Sequence, residues 1–96
     1  MILVKTFDNG LVNMSDFDYI KVEGRTITVI RKEANLILNF KFFRKILKIT
    51  LPKYSQKQFD YFVFLFYREI DFCDKHTGMI DINELLLKME SECKEE

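Results

Sequence analysis

This chain of 96 residues has few cysteines, no long apolar run and no secretory signal, and each of these features excludes a class of protein. The two cysteines, Cys73 and Cys93, are too few for a disulfide framework. The longest nearly apolar run, residues 59–67, contains Asp60 and is far shorter than the roughly 20 residues of a membrane-spanning helix. The N-terminus lacks the basic segment and apolar run of a secretory signal. We therefore expect a cytoplasmic protein with reduced thiols and no transmembrane segment.

Acidic residues are missing between Glu33 and Asp60, although the whole chain has a net charge of zero. Residues 1–57 hold 11 Lys/Arg and 5 Asp/Glu, a net charge of +6, whereas residues 58–96 hold 4 and 10, a net charge of −6. Summed surface charge governs which partners approach a protein and says little about its fold. The asymmetry predicts that the folded protein has a positive and a negative surface. These charges limit the kinds of partner that can bind, but they do not identify a function.

The first 41 residues have the pattern of an antiparallel β meander. Asn9-Gly10 supplies the positive φ angles of a tight hairpin turn, and a second turn at residues 23–25 separates two alternating runs, 19–22 and 26–31. Residues 36–41 alternate as well, which makes a fifth strand plausible. The composition, 48% hydrophobic and 31% charged, is that of a globular protein, and the length suits one domain, 1–96.

The basic segment 42–51 has an ambiguous pattern. A short helix is favoured because four basic residues fall at i, i+3, i+4 and i+7, along one helical face: Lys41, Arg44, Lys45 and Lys48. A strand is the alternative, since Ile46, Ile49 and Thr50 are β-branched. Pro52 ends either element.

Two helices are predicted in the second half of the chain. Ser55 with Gln58 forms a capping box that begins a helix over 55–73, and Asp81 with Glu84 repeats this spacing before a helix over 82–94. The long helix has one apolar stripe that suits a core, made of Phe59, Phe62, Val63, Phe66, Ile70 and Cys73. A second stripe lies around Arg68 on the far side: Tyr61, Phe64, Leu65 and Phe72.

These patterns predict an α+β fold. An N-terminal antiparallel meander of four to five strands, residues 1–41, packs against the long aromatic-rich helix, with the shorter C-terminal helix beside it. Strands followed by helices favour this arrangement over a parallel sheet.

We expect a small, non-catalytic protein-interaction or regulatory module, with a homodimer as one form. Its interface is the second stripe of the long helix: Tyr61, Phe64, Leu65 and Phe72. Eleven of the fourteen aromatic residues lie between Phe40 and Phe72. Such an excess on a two-faced helix is typical of core packing, in which the terminal helix covers the second stripe, and the alternative is an association surface.

The alternative is a nucleic-acid-binding domain. Lysine and arginine side chains would neutralise phosphates, and Phe43 or Tyr54 would stack on bases. The residues of this alternative site are Lys41, Arg44, Lys45, Lys48, Lys53, Lys57 and Tyr54. A solvated basic face docked on the acidic part of the same chain would explain the same composition.

Two weak metal motifs do not change this interpretation. Residues 74–85 resemble the back half of an EF-hand loop, with Gly78, Ile80, Asp81 and Glu84 in register. The front half of that loop would place Cys73, Lys75 and Thr77 where the family has oxygen ligands. We therefore read a glycine turn followed by an Asp cap. Cys73, His76 and Cys93 would supply at most three zinc ligands. No catalytic, cofactor or metal residue is predicted.

Overall fold

Five strands precede the two helices, as predicted, and a sixth strand, which was not predicted, lies between the helices. The computed structural model of the protein describes residues 2–35, 40–75 and 78–93, without the side chains of 34–35, 40–42 and 74–75. The elements are β1 (Ile2–Lys5), β2 (Leu11–Asn13), β3 (Tyr19–Glu23), β4 (Thr26–Asn35), β5 (Phe40–Thr50), α1 (Gln56–Lys75), β6 (Gly78–Asp81) and α2 (Ile82–Glu92). The predicted α+β fold class is confirmed.

The strands divide between two three-stranded sheets. One sheet has the order β2-β1-β6, in which β1 pairs antiparallel with β2 and parallel with β6. The other is antiparallel throughout, in the order β3-β4-β5. The expected glycine turn at Gly78 is wrong, because this residue begins β6 and pairs with Ile2.

Both predicted hairpins are present, and their turns differ in type. In the first, Asn9 alone has a positive φ of 64°, and the Thr6 N–H donates to the Gly10 carbonyl oxygen at 2.9 Å around a three-residue loop. In the second, Glu23 pairs with Thr26, and Gly24 has a φ of 59°. A positive φ at the first of two loop residues is typical of a type II′ turn, which matches the twist of the strands.

The segment 42–50 belongs to a strand, so the predicted basic helix is wrong. β5 pairs with β4 from Thr26–Thr50 to Asn35–Phe40, with one register shift between Val29 and Ile30. Residues 36–39 of the predicted fifth strand lie outside the described residues. The ladder of ten paired positions with β4 favours the strand, because a short isolated helix would leave most of its backbone groups unpaired at its two ends.

The two helices begin at the predicted caps. The Gln58 N–H donates to Ser55 Oγ and the Ser55 N–H donates to Gln58 Oε1, each at 3.2 Å, which is the reciprocal capping box. Asp81 Oδ1 accepts from the Asn83 N–H at 3.0 Å and from the Glu84 N–H at 3.4 Å. These bonds satisfy backbone donors that have no partner within the helices.

One hydrophobic core joins both sheets and both helices. The predicted core stripe of α1 is buried, with Phe59, Phe62 and Phe66 fully inaccessible and Val63 packed at the edge. The same buried cluster contains side chains from both sheets and from α2: Val4, Ile80, Ile27, Val29, Leu47, Ile49, Leu85 and Met89. The core therefore fixes α1 between the sheets and α2, and it decides which side of each element is left for binding.

Candidate functional site

The outward side of α1 carries three of the four predicted interface residues. Phe64 and Phe72 are 55% and 54% exposed, and Arg68 lies between them at a spacing of one helical turn from each. The centroid of the Phe64 ring lies 6.0 Å from that of the Tyr61 ring and 5.6 Å from the Arg68 guanidinium carbon. We call Tyr61, Phe64, Arg68 and Phe72 the aromatic face.

The C-terminal end of α2 borders this aromatic face. The Tyr61 hydroxyl donates to Glu92 Oε1 at 2.6 Å, and Gln58 Nε2 donates to the Cys93 carbonyl oxygen at 3.3 Å. The hydrogen bond to the Glu92 carboxylate raises the pKa of Tyr61, because it favours the protonated phenol. Tyr61 therefore links the aromatic face to the helix that runs antiparallel to α1.

Leu65 was predicted in this stripe, and that prediction is wrong. Its side chain has no exposed surface and belongs to the core. On the helical circumference Leu65 lies between Gln58 and Tyr61, the two residues that contact the end of α2. The C-terminal helix therefore covers Leu65 and leaves Phe64 and Phe72 outside.

A second surface is formed by the outward side of β3-β4-β5, which we call the sheet face. The strand register places three side chains in each row across the sheet: Tyr19–Ile30–Lys45, Lys21–Thr28–Lys48 and Glu23–Thr26–Thr50. These rows surround a hollow of about 350 Å³, lined by all of them except Thr50. The floor is closed, since Thr28 and Ile30 are only 8% and 6% exposed.

A β-bulge directs two lysines of β5 to the sheet face. Val29 pairs with Leu47 and Ile30 pairs with Lys45, so Ile46 is the additional residue on β5. Ile46 and Leu47 both pack against the core, whereas Lys45 and Lys48 both line the hollow. Without the bulge, residues three apart in a strand would point to opposite sides.

Two aromatic rings lie at one end of the hollow. Tyr19 and Phe43 are 44% and 60% exposed, with their ring centroids 5.8 Å apart and their planes at 72°. Phe43 is two residues from Lys45 on β5 and so shares its side of the strand. The sheet face thus combines exposed rings with cationic side chains.

The predicted nucleic-acid-binding residues do not all meet on this surface. Arg44 points to the opposite side of β5, where its Nη1 lies 3.5 Å from Glu33 Oε1. Lys53 and Lys57 are exposed in the turn after β5 and in the first turn of α1, away from the hollow. Lys41 pairs with Ala34 in the ladder, but its side chain lies outside the description.

Tyr54 does not provide the predicted stacking ring. Its ring packs against the core and its hydroxyl donates to the Glu90 carboxylate. That hydrogen bond raises the pKa of Tyr54 by stabilising the protonated phenol. The sheet face instead has the ring of Tyr19 and the ammonium group of Lys21, which were not predicted as site residues. The alternation of these two residues with Ile20 and Val22 is the sequence signal that could have identified them.

Ion pairs connect the basic and acidic parts of the chain at one place in the described structure. Lys5 Nζ lies 3.7 Å from Asp81 Oδ2, whereas the Lys21–Glu23 pair at 3.1 Å and the Arg44–Glu33 pair lie within the basic part. Lys45 and Lys48 have no carboxylate within salt-bridge distance among the residues described. The sheet face therefore keeps most of its positive charge.

The two cysteines are too far apart to share a metal ion. Cys93 Sγ lies 3.9 Å from the Lys57 carbonyl oxygen at the start of α1, and Cys73 lies 16 residues further along this helix, about 24 Å away. Burial raises the pKa of the Cys73 thiol, which disfavours the thiolate that metals bind. His76 lies outside the described residues. Within them, no His/Cys/Asp/Glu group has the composition and closeness of a metal site.

Among the described helices, none has the length and hydropathy needed to cross a bilayer.

Comparison with protein-family models, curated proteins and solved structures finds no match to this chain. The two surfaces are therefore interpreted from their own geometry.

Proposed function

We propose that the protein is a small, non-catalytic cytoplasmic interaction module that associates with a second copy of itself through the aromatic face. The observation that supports this most is the exposure of Phe64 and Phe72 on either side of Arg68. Phenylalanine, tyrosine and arginine are enriched at protein interfaces, and they account for much of the binding energy there. Covering a half-exposed phenylalanine contributes about half of the 1.5–3 kcal/mol of full burial.

The arrangement along α1 suits a symmetric contact. A two-fold interface requires a surface that is complementary to itself. When two α1 helices pair antiparallel about a point near Phe66, the Phe64 ring of each copy faces Arg68 of the other. Symmetry then makes the contact twice, and each cation–π contact contributes about 0.5–2 kcal/mol.

Light scattering coupled to size-exclusion chromatography tests this proposal. The wild-type chain is expected at twice its monomer mass of 11.6 kDa at high concentration. Phe64→Ser is expected to elute as a monomer with an unchanged circular dichroism spectrum. The matched control is Leu87→Ser, because Leu87 is 67% exposed on α2 and lies outside the aromatic face. A wild-type monomer at millimolar concentration, or equal effects of both variants, would contradict the proposal.

A further inference from the structure

The sheet face has a different chemical character from the aromatic face and faces away from the core. Its lining holds three lysines and one glutamate, whereas the aromatic face has one cation among three rings. We propose that the sheet face binds single-stranded nucleic acid, independently of self-association through α1.

The three lysines of the sheet face lie on the two strands that flank β4. Lys45 and Lys48 are opposite Ile30 and Thr28, which lie two residues apart on β4, so the two lysines are about 7 Å apart along the sheet. Lys21 is on the other side of Thr28, across two strand spacings of about 5 Å each. A flexible phosphate backbone crossing the hollow would pass within reach of all three ammonium groups.

Glu23 is the one acidic residue in the lining, and it does not block this contact. Its carboxylate pairs with Lys21 at 3.1 Å, and their side chains are 75% and 58% exposed. Water and salt screen an ion pair this exposed, so it contributes little, and a phosphate can take the place of Glu23 at Lys21.

The exposed rings favour a single strand over a duplex. Tyr19 and Phe43 offer edges and faces at the end of the hollow next to Lys45. Bases in a single strand are free to stack on such rings, and this stacking tolerates any sequence. In a duplex the bases are already stacked and only the phosphates would be contacted.

Fluorescence anisotropy with a labelled oligothymidine of about a dozen nucleotides tests the proposal. Binding is expected with a dissociation constant of about 10⁻⁶ to 10⁻⁴ M. Neutralising three phosphates gives a log–log slope against salt of about −2, since each contributes about 0.7 in a single strand.

Two double variants with the same charge change locate the site. Lys45→Gln with Lys48→Gln is expected to weaken binding about tenfold or more and to reduce the slope to about −0.7. Lys53→Gln with Lys57→Gln removes two exposed lysines of the same basic segment, which lie outside the hollow, and should leave affinity within about twofold. Equal losses in the two double variants would overturn the proposal, because diffuse attraction would then explain the binding.

Ring variants separate stacking from charge. Phe43→Ala is expected to weaken binding about fivefold or more, whereas Phe64→Ala on α1 should have no effect. The proposal is overturned if the oligothymidine does not bind at low salt. It is also overturned if the protein prefers a duplex of the same length and Phe43→Ala leaves the affinity unchanged. Binding to phosphatidylserine vesicles without binding to the oligothymidine would assign the face to a membrane surface instead. Because Phe64→Ser tests self-association separately, either proposal can fail alone.

Discussion

Truncation of the neighbouring residues Leu65 and Phe64 on α1 should change the free energy of unfolding by very different amounts. Leu65 has no exposed surface, so Leu65→Ala leaves a cavity in the core and is expected to lower the free energy of unfolding by about 2–5 kcal/mol. A domain of this length has a total stability of about 5–14 kcal/mol. The loss therefore lowers the melting temperature by at least about 8 °C.

Phe64→Ala should be nearly neutral in the monomer. The Phe64 side chain is 55% exposed, so its truncation forfeits about 1 kcal/mol of burial and the contact with Arg68. Alanine recovers about 0.5 kcal/mol through its higher helix propensity. The net change should stay within about 1 kcal/mol.

Urea unfolding followed by circular dichroism measures both variants. Low protein concentration is needed because association adds to apparent stability. Should Leu65→Ala prove as mild as Phe64→Ala, or Phe64→Ala the more damaging, then the assignment of the inward and outward sides of α1 is wrong.

Two further predictions concern the helix cap at Asp81 and the hydrogen bond from Tyr54 to Glu90. Asp81→Ala removes both hydrogen bonds from the side chain to the backbone at the start of α2, so the free energy of unfolding in urea should fall by about 1–2 kcal/mol. Asp81→Asn should recover most of this loss, because asparagine also caps helices. Equal losses in the two variants would mean that the cap does not contribute. The pKa of Tyr54 is raised above its usual 10.0, so its bond to Glu90 stabilises the fold fully below that pH and loses this effect as pH rises through the higher folded pKa. The stability difference between wild type and Tyr54→Phe should therefore shrink as the pH rises above the usual pKa of tyrosine, and a constant difference would contradict the assignment.

Local chemistry was sufficient to predict the hairpins and the helix starts. Asn9 and Gly24 supply positive φ at the turns, and Ser55 and Asp81 cap the helices, all through contacts with residues close in sequence. Such signals do not depend on the rest of the fold, so they are readable from the chain alone.

The basic segment was misread because a bulged strand imitates a helical period. Lys45 and Lys48 share one side of β5 only because Ile46 adds a residue between paired positions. A spacing of three residues on one side is the usual mark of a helix, and a bulge cannot be recognised without the partner strand.

Leu65 and β6 were missed for a different reason. Leu65 lies at the border of the apolar stripe, and only the position of α2 decides that it is covered. Gly78–Asp81 pairs with β1 from the other end of the sequence, and residues 73–85 have no local feature that names this partner. Both outcomes depend on contacts distant in sequence.

The parallel pairing of β1 with β6 has a consequence for synthesis on the ribosome. At about 5–20 residues per second, the 73 residues from Thr6 to Gly78 take roughly 4–15 s to appear. During that interval one edge of β1 has only unpaired amide and carbonyl groups, which other chains can pair with. β1 is thus open to pairing with other chains until β6 has been synthesised.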